Sequence, residues 1–202
     1  WLEIDKFDTE FLYVNSLTAG VGSNDIGLDR NQLGDDRIVQ FERRGPKVLM
    51  VQPNYSYRAI TDNPKEKESV RDAFAQSVLW GFEVAAQNAD AVLVDATDFL
   101  MRDAHGVSER LQQNNEGNFS VDKSRSALYR EATINFPKNT EFEATLTFTG
   151  SNPGGQVRSV TPTSDAITVR QHHSFVELPD DGFEPRKFDP RAGYFGISYQ
   201  DY

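Results

Sequence analysis

Apolar residues alternate with polar ones along much of the 202-residue chain. A period of two is typical of β-strands that bury one face, because successive side chains of a strand point to opposite sides. The clearest case is residues 141–149, where Phe142, Ala144, Leu146 and Phe148 fall on one face. The same signal predicts strands at residues 2–4, 11–14, 37–42, 47–52, 80–84, 91–97 and 167–178. The chain is therefore predicted to be mainly β.

Turn and helix signals interrupt these strand patterns. Turn residues at 44–46 separate two strands, and so short a link favours an antiparallel hairpin. Helical spacing of apolar residues predicts short helices at 68–77 and 107–113. Stretches rich in Gly and polar residues predict loops at 19–36 and 150–165.

These signals define one fold class. We expect a mainly β protein at the margin of α+β, built as an antiparallel sheet or sandwich with one or two short helices. No linker separates two cores, so residues 1–202 are predicted to form a single domain.

Composition excludes several classes of protein. The sequence has no Cys, and therefore no disulfide, no thiolate zinc site and no cysteine nucleophile. It has 31 Asp and Glu against 21 Lys and Arg, which gives a formal net charge of -10. Binding nucleic acid requires a basic face, so that function is excluded. No apolar run approaches the roughly 20 residues that a membrane-spanning helix needs.

The first residues carry an expectation about the parent protein. The chain starts with Trp1 and Leu2, and it has neither an initiator Met nor the basic segment of a signal peptide. We expect these 202 residues to be a fragment of a longer protein.

A Gly-rich and acidic stretch invites two interpretations involving a bound ion. Residues 20–27 do not match a dinucleotide-binding loop, because Asp25 stands where the third glycine is needed. The acidic residues from Asp25 to Asp36 resemble a calcium loop. However, Leu33 occupies a ligand position, and Gln40 stands where a bidentate Glu is required. We interpret the stretch as a solvated acidic loop, with an irregular calcium site as the alternative.

The 3 histidines give little indication of catalysis. His172 and His173 are adjacent on a predicted strand, so their rings point to opposite faces and are poorly placed to ligate one metal. Asp103 and His105 form an Asp-x-His pair, a weak catalytic signal if both lie on one strand face. No Gly-x-Ser-x-Gly or His-Glu-x-x-His motif occurs. The sequence therefore identifies no catalytic residue, no metal ligand and no cofactor-binding residue.

Six blocks of sequence carry a resemblance to a known family. They are AFAQSVLW at 73–80, VLVDATDFL at 92–100, RDAHGV at 102–107, FPKNTE at 136–141, VRQHHSF at 169–175 and FDPRAGYF at 188–195. In this order they resemble the domain of unknown function that precedes the catalytic domain in large bacterial zinc-dependent metalloproteases. The resemblance covers nearly the whole chain.

This resemblance implies a role and a location. The parent protein would be a secreted, periplasmic or envelope-associated peptide hydrolase whose extended His-Glu-x-x-His zinc motif lies beyond Tyr202. No residue of this chain matches that motif. The segment would then be a non-catalytic accessory domain that packs on the catalytic domain or helps feed peptide substrate to it. Zinc would belong to the parent protein, with no cofactor in this segment.

Aromatic residues are concentrated near the C-terminus, where they suggest an interface. Aromatics make up 11% of the chain, but six of the last twenty residues: Phe183, Phe188, Tyr194, Phe195, Tyr199 and Tyr202. They either close the core of the domain or leave an apolar patch for the catalytic domain. The candidate interface or cleft-facing residues are His172, His173, Phe188, Tyr194, Phe195 and Tyr199.

Two other functions remain as alternatives to the accessory role. One is an envelope polysaccharide- or peptide-binding β-rich module, which exposed aromatic faces at Trp1 or Trp80 would favour. The other is a stand-alone hydrolase that uses carboxylates, for which the sequence offers no compact motif.

Overall fold

A curled antiparallel sheet of 11 strands makes up most of the structure, as the mainly β prediction requires. The computed structural model describes residues 1–180, 182, 184–193 and 195–202. The strands are β1 (Leu2–Ile4), β2 (Glu10–Ala19), β3 (Gln32–Arg44), β4 (Lys47–Gln52), β5 (Tyr57–Arg58), β6 (Ser77–Gln87), β7 (Val92–Val94), β8 (Asn118–Val121), β9 (Ala127–Leu128), β10 (Ile134–Asn135), β11 (Asn139–Ser151), β12 (Ala166–Glu177) and β13 (Gln200–Asp201).

Strand order in the sheet is β1-β7-β6-β4-β3-β2-β12-β11-β10, with β8 and β9 also paired to β11. The strands β5 and β13 form a separate parallel pair. The predicted hairpin is confirmed, because β3 and β4 pair antiparallel from Gln40 opposite Val51 to Arg44 opposite Lys47. Gly45 in its turn has a φ of 60°, a value that favours glycine.

In the described part of the chain, four short helices and two 3-10 turns connect the strands. The helices are α1 (Pro64–Ala73), α2 (Thr97–Leu100), α3 (Val107–Gln113) and α4 (Gly155–Val160), and the 3-10 turns are Lys123–Arg125 and Arg130–Ala132. The prediction at 107–113 is confirmed by α3, but the count of one or two helices is too low. None of the helices in the described part of the chain is long and apolar enough to cross a lipid bilayer.

The helix predicted at 68–77 lies four residues earlier. Asn63 caps α1 by accepting a hydrogen bond from Lys65 N at 3.1 Å, and Pro64 occupies the first turn, where its missing N–H costs nothing. The helix ends at Ala73 because Phe74 turns to an extended backbone conformation, and its N–H donates to Val70 O at 3.2 Å. No residue of α1 is buried, so the helix stands on the surface of the domain.

The predicted loop at 150–165 is wrong in its middle, where α4 forms. Both carboxylate oxygens of Glu116 accept from the first turn of α4, from Val157 N at 2.8 Å and from Gln156 N at 3.3 Å. An acidic group at a helix N-terminus satisfies unpaired N–H groups and the helix dipole. The predicted loop at 19–36 is shorter than expected, since β2 ends at Ala19 and β3 starts at Gln32.

Two apolar clusters form the core along the inner face of the sheet. The first contains Tyr13, Phe41, Phe82, Phe99 and Phe175, among others. The second contains Leu17, Leu111, Leu146, Phe148 and Val157, among others. The predicted apolar face of β11 is confirmed, because all four of its residues are buried: Phe142, Ala144, Leu146 and Phe148.

Candidate functional site

The adjacent histidines of β12 lie on opposite faces of the sheet, as strand alternation predicted. His173 points into the first core cluster and is fully buried. His172 points to the outer face, where 19% of its side chain is exposed. The two rings therefore have separate environments and separate roles.

His173 is the centre of a buried hydrogen-bond network. Its Nδ1 lies 2.9 Å from the hydroxyl of Tyr13, and its Nε2 lies 3.2 Å from the carbonyl oxygen of Leu100. Burial lowers the pKa of His173 to about 3, and this effect outweighs the hydrogen bond to Leu100, which raises the pKa. The ring is neutral at pH 7 and reaches no surface. Because the sheet encloses this ring, His172 is the one of the two histidines with exposed surface that a cleft or a neighbouring domain could contact.

The network fixes the segment that contains Asp103 and His105. The side-chain oxygen of Gln171 accepts from the backbone N–H of Ala104 at 2.9 Å and of His105 at 3.0 Å. The Asp103 carboxylate accepts from Val107 N and Ser108 N, both at 2.8 Å, and so holds the start of α3. These residues lie on a loop before α3, not on a strand face, so the Asp-x-His interpretation is wrong.

His172 is held between two carboxylates on the outer face of the sheet. Its Nε2 lies 2.8 Å from Glu141 Oε2, and its Nδ1 lies 3.1 Å from Glu143 Oε2. Register causes this arrangement, because Glu143 stands opposite His172 and Glu141 stands opposite Ser174. Ionised carboxylates only accept hydrogen bonds, so a ring nitrogen that carries a proton can donate to the glutamate beside it.

Both carboxylates around His172 have further partners among the neighbouring side chains. Burial raises the pKa of Glu141, but hydrogen bonds from Ser174, Asn139 and His172 outweigh it and leave the pKa below its ordinary value. Glu143 has only 4% of its side chain exposed, and it also faces Arg170 at 3.5 Å. The two Glu side chains lie on opposite sides of the imidazole and do not converge on a point. Among the described residues, no group of three His, Cys, Asp or Glu is placed to hold a metal ion.

Replacing His172 by alanine is expected to lower the free energy of unfolding by about 2 kcal/mol, because it leaves the buried Glu143 carboxylate without its main donor. Urea denaturation measures this loss. In a double-mutant cycle with Glu143→Gln, we expect a coupling of about 1 kcal/mol, since a neutral amide leaves no unpaired charge. Additive losses in that cycle would contradict the pairing of His172 with Glu143.

The acidic stretch from Asp25 to Asp36 is divided between a loop and a strand. Asp25 lies in the loop and accepts from Gln156 Nε2 at 3.0 Å, whereas Asp35 lies on β3 and pairs with Arg37 at 2.7 Å. Ile26 in the same loop is buried in the second core cluster. The stretch is therefore only partly the solvated loop that was predicted.

Exposed apolar residues mark the C-terminal segment. Exposure reaches 56% for Phe188, 43% for Tyr199 and 63% for Tyr202, while Phe195 is fully exposed and Ile197 is 94% exposed. These five residues are called the C-terminal surface below. Phe183 and Tyr194 lie outside the described residues. The described rings of this segment do not close the core, which leaves the interface prediction open.

Contacts with α1 hold the end of this segment in place. The strand β13 pairs with β5, and the Tyr202 ring lies 5.1 Å from the ring of Phe74. Phe74 stacks in turn on Tyr57 at 3.8 Å. Arg58 lies 4.2 Å from the centre of the Tyr199 ring, a cation–π contact. Tyr199 and Tyr202 of the C-terminal surface are thus held on a small lobe formed by α1, β5 and β13.

The two tryptophans have different exposure. Trp1 is 71% exposed, but Trp80 is half-buried, with its ring against Phe99 at 5.8 Å and Arg102 at 5.5 Å. Only Trp1 therefore offers the open aromatic face that a sugar-binding module would use.

Comparison with known proteins identifies one family. The chain matches the family described as Domain of unknown function (DUF5117) over residues 31–202. The match leaves out the first 30 residues, which contain β1 and β2. No curated protein and no solved structure matches the chain.

Proposed function

This chain belongs to the DUF5117 family of domains of unknown function, and from that premise we propose that it is a non-catalytic accessory domain. In this proposal it precedes the catalytic domain of a secreted or envelope-associated bacterial zinc-dependent metalloprotease. It packs on that domain or helps feed peptide substrate to it. Zinc is held by the His-Glu-x-x-His motif of the catalytic domain.

The C-terminal surface is the observation that carries this proposal. Large apolar side chains that are exposed together are a mark of protein–protein contact, because their burial is favourable and their hydration is not. Phe195 and Ile197 are almost entirely exposed while Tyr202 anchors the segment. A neighbouring domain that covered these side chains would bury them without rearranging the sheet.

The burial of His173 and the contacts of His172 support a non-catalytic role. His173 is enclosed in the core, and both nitrogens of His172 already contact carboxylates. A general base needs a free nitrogen within reach of substrate, and neither ring offers one. His172, with part of its side chain on the outer face, stays a candidate for contact with the neighbouring domain.

Activity of the parent protein tests the proposal. The 202-residue chain alone is expected to cleave no peptide and to bind no zinc stoichiometrically, whereas the parent protein should bind one zinc ion and cleave peptides. In the parent, Phe195→Ser with Ile197→Ser should lower turnover about tenfold, since interface anchors each contribute on the order of 1 kcal/mol or more. Zinc content should stay unchanged, and hydrogen exchange of residues 195–202 should become faster.

The matched control is Leu33→Ser, which changes a side chain that is 72% exposed and lies on β3, outside the C-terminal surface. It should leave turnover and exchange unchanged. The proposal would be overturned by a parent protein without zinc and peptidase activity. Equal exchange rates for residues 195–202 in the isolated chain and in the parent would also overturn it.

A further inference from the structure

The two edge strands of the sheet face each other across an open groove. The strands β1 and β10 end the strand order, so each has one edge that no described strand pairs with. A groove of about 670 Å³ separates them and is lined by residues 1–3 and 5–6 on one side and 133–142 on the other. This groove is called the seam. The curl of the sheet nearly brings β1 and β10 together but leaves this space between them.

An apolar pocket opens beside the seam. It has a volume of about 170 Å³, and its walls include Leu2, Ile4, Phe11, Phe41 and Phe175. An apolar cavity of about 150 Å³ is large enough for a benzene ring. The pocket therefore fits one aromatic or branched aliphatic side chain. Its walls belong to the first core cluster or pack against it, so an inserted side chain would extend the core.

The seam has apolar rims as well as this pocket. Trp1 on the β1 side is 71% exposed, and on the β10 side Ile134 is 47% and Phe136 is 46% exposed. Unpaired strand edges with exposed apolar residues are the surfaces to which a further strand adds. The combination of free backbone edges and an apolar pocket favours a peptide over a sugar, because only a peptide backbone continues the ladder.

Charge at the seam is predominantly acidic. The seam is lined by Glu3, Asp5, Glu141 and Glu177 against Lys6 and Lys138. Lys6 forms an ion pair with Glu177 at 3.3 Å, and the Glu141 carboxylate contacts the His172 ring at 2.8 Å. Glu3 and Asp5 are exposed and make no ion pair within the described ranges, so they are available to a basic partner.

We propose that the seam binds an extended peptide, with one aromatic side chain in the apolar pocket and Lys or Arg residues near Glu3 and Asp5. The peptide adds as a strand to an edge facing the seam. This inference rests on β1, β10 and the pocket, and it does not depend on the C-terminal surface or on the accessory role. The seam is lined by other residues than those of the C-terminal surface, so the two proposals fail separately.

A synthetic peptide of sequence Lys-Thr-Phe-Thr-Val-Thr-Lys, labelled with fluorescein, tests the proposal by anisotropy. We expect saturable binding with a Kd on the order of 10–100 µM. Alanine in place of the Phe should weaken binding roughly tenfold, because burial of that ring is lost. A version with Glu in place of both Lys should bind more weakly, and this difference should shrink as salt is added.

Variants of the chain locate the site. Phe136→Ala, and separately Glu3→Lys with Asp5→Lys, should each weaken binding at least threefold. The matched controls Leu33→Ala and Asp90→Lys change exposed residues outside the seam and should leave binding unchanged. Hydrogen exchange should slow on peptide addition within residues 1–6 and 133–140.

Several outcomes would overturn the proposal. They are equal binding of the Phe and Ala peptides, protection that maps away from the seam, and no binding at 1 mM peptide. Concentration-dependent dimerisation of the chain with the same protected residues would assign the seam to a second copy instead.

Discussion

Lowering the pH from 6 to 4 is expected to destabilise the protein by about 1 kcal/mol per pH unit through His173 alone. Burial lowers the pKa of this ring to about 3, so the folded protein binds no proton there in this window. The ring of the unfolded chain has an ordinary pKa near 6.5 and does bind one. Protonation therefore favours unfolding, and the stabilisation is lost as the pH falls from about 6.5 toward about 3.

The comparison with His173→Gln isolates this effect. Glu141 and His105 also have lowered pKa values, so the total loss of stability in acid includes their contributions. Both proteins share those residues, and only the slope due to His173 should disappear in the variant. Urea denaturation at pH 4, 5, 6 and 7 measures both slopes, and parallel slopes would contradict the buried neutral ring. An NMR titration of His173 that shows protonation near pH 6 would do the same.

Phe99→Ala is expected to lower the free energy of unfolding by about 3–5 kcal/mol, the usual cost of removing a large ring from a core. Phe99 lies on α2, has no exposed surface and stands at the centre of the first cluster. Its ring centre lies 5.4 Å from those of Phe82 and His173 and 5.7 Å from that of Tyr13. Its removal would open a cavity between the sheet and the helix that covers it.

The control for this substitution is Phe195→Ala, which removes the same side chain from a fully exposed position. That variant should change stability by less than about 0.5 kcal/mol. Guanidinium denaturation of both variants measures the difference. A loss below about 1 kcal/mol for Phe99→Ala would show that Phe99 is not part of a closely packed core.

The strands were largely predictable because their determinant is local. In β11 the alternation of Phe142, Ala144, Leu146 and Phe148 with polar residues is enough to identify both the strand and its buried face. The hairpin of β3 and β4 follows in the same way from two strand patterns and a glycine turn. Such signals depend only on neighbouring residues, so they can be interpreted without knowledge of the tertiary structure.

Elements that depend on distant residues were not predictable. Gly155–Val160 is helical because Glu116, about 40 residues earlier, binds its first N–H groups. The start of α1 was misplaced for a different reason. The helix starts at the cap formed by Asn63 and Pro64, but no face of it is buried, so apolar spacing predicted its position wrongly.

The candidate site was predictable only in part. Alternation predicted that His172 and His173 point apart, but the carboxylates that hold His172 come from β11 and depend on strand register. The contact of Tyr202 with Phe74 joins residues 128 positions apart, and no sequence pattern indicates it. The seam exists because the whole sheet curls. The sequence of no single strand predicts that curl.

The attachment of β13 to β5 also determines how the protein responds to mechanical force. A pull on Tyr202 loads three hydrogen bonds: Gln200 N to Ser56 O at 2.8 Å, Tyr202 N to Arg58 O at 2.9 Å, and Ile60 N to Asp201 at 2.8 Å. The main sheet begins only at Glu177, so this small lobe yields first. A load applied at Tyr202 is therefore borne by the short β13–β5 pairing before it reaches the long strand ladders of the main sheet.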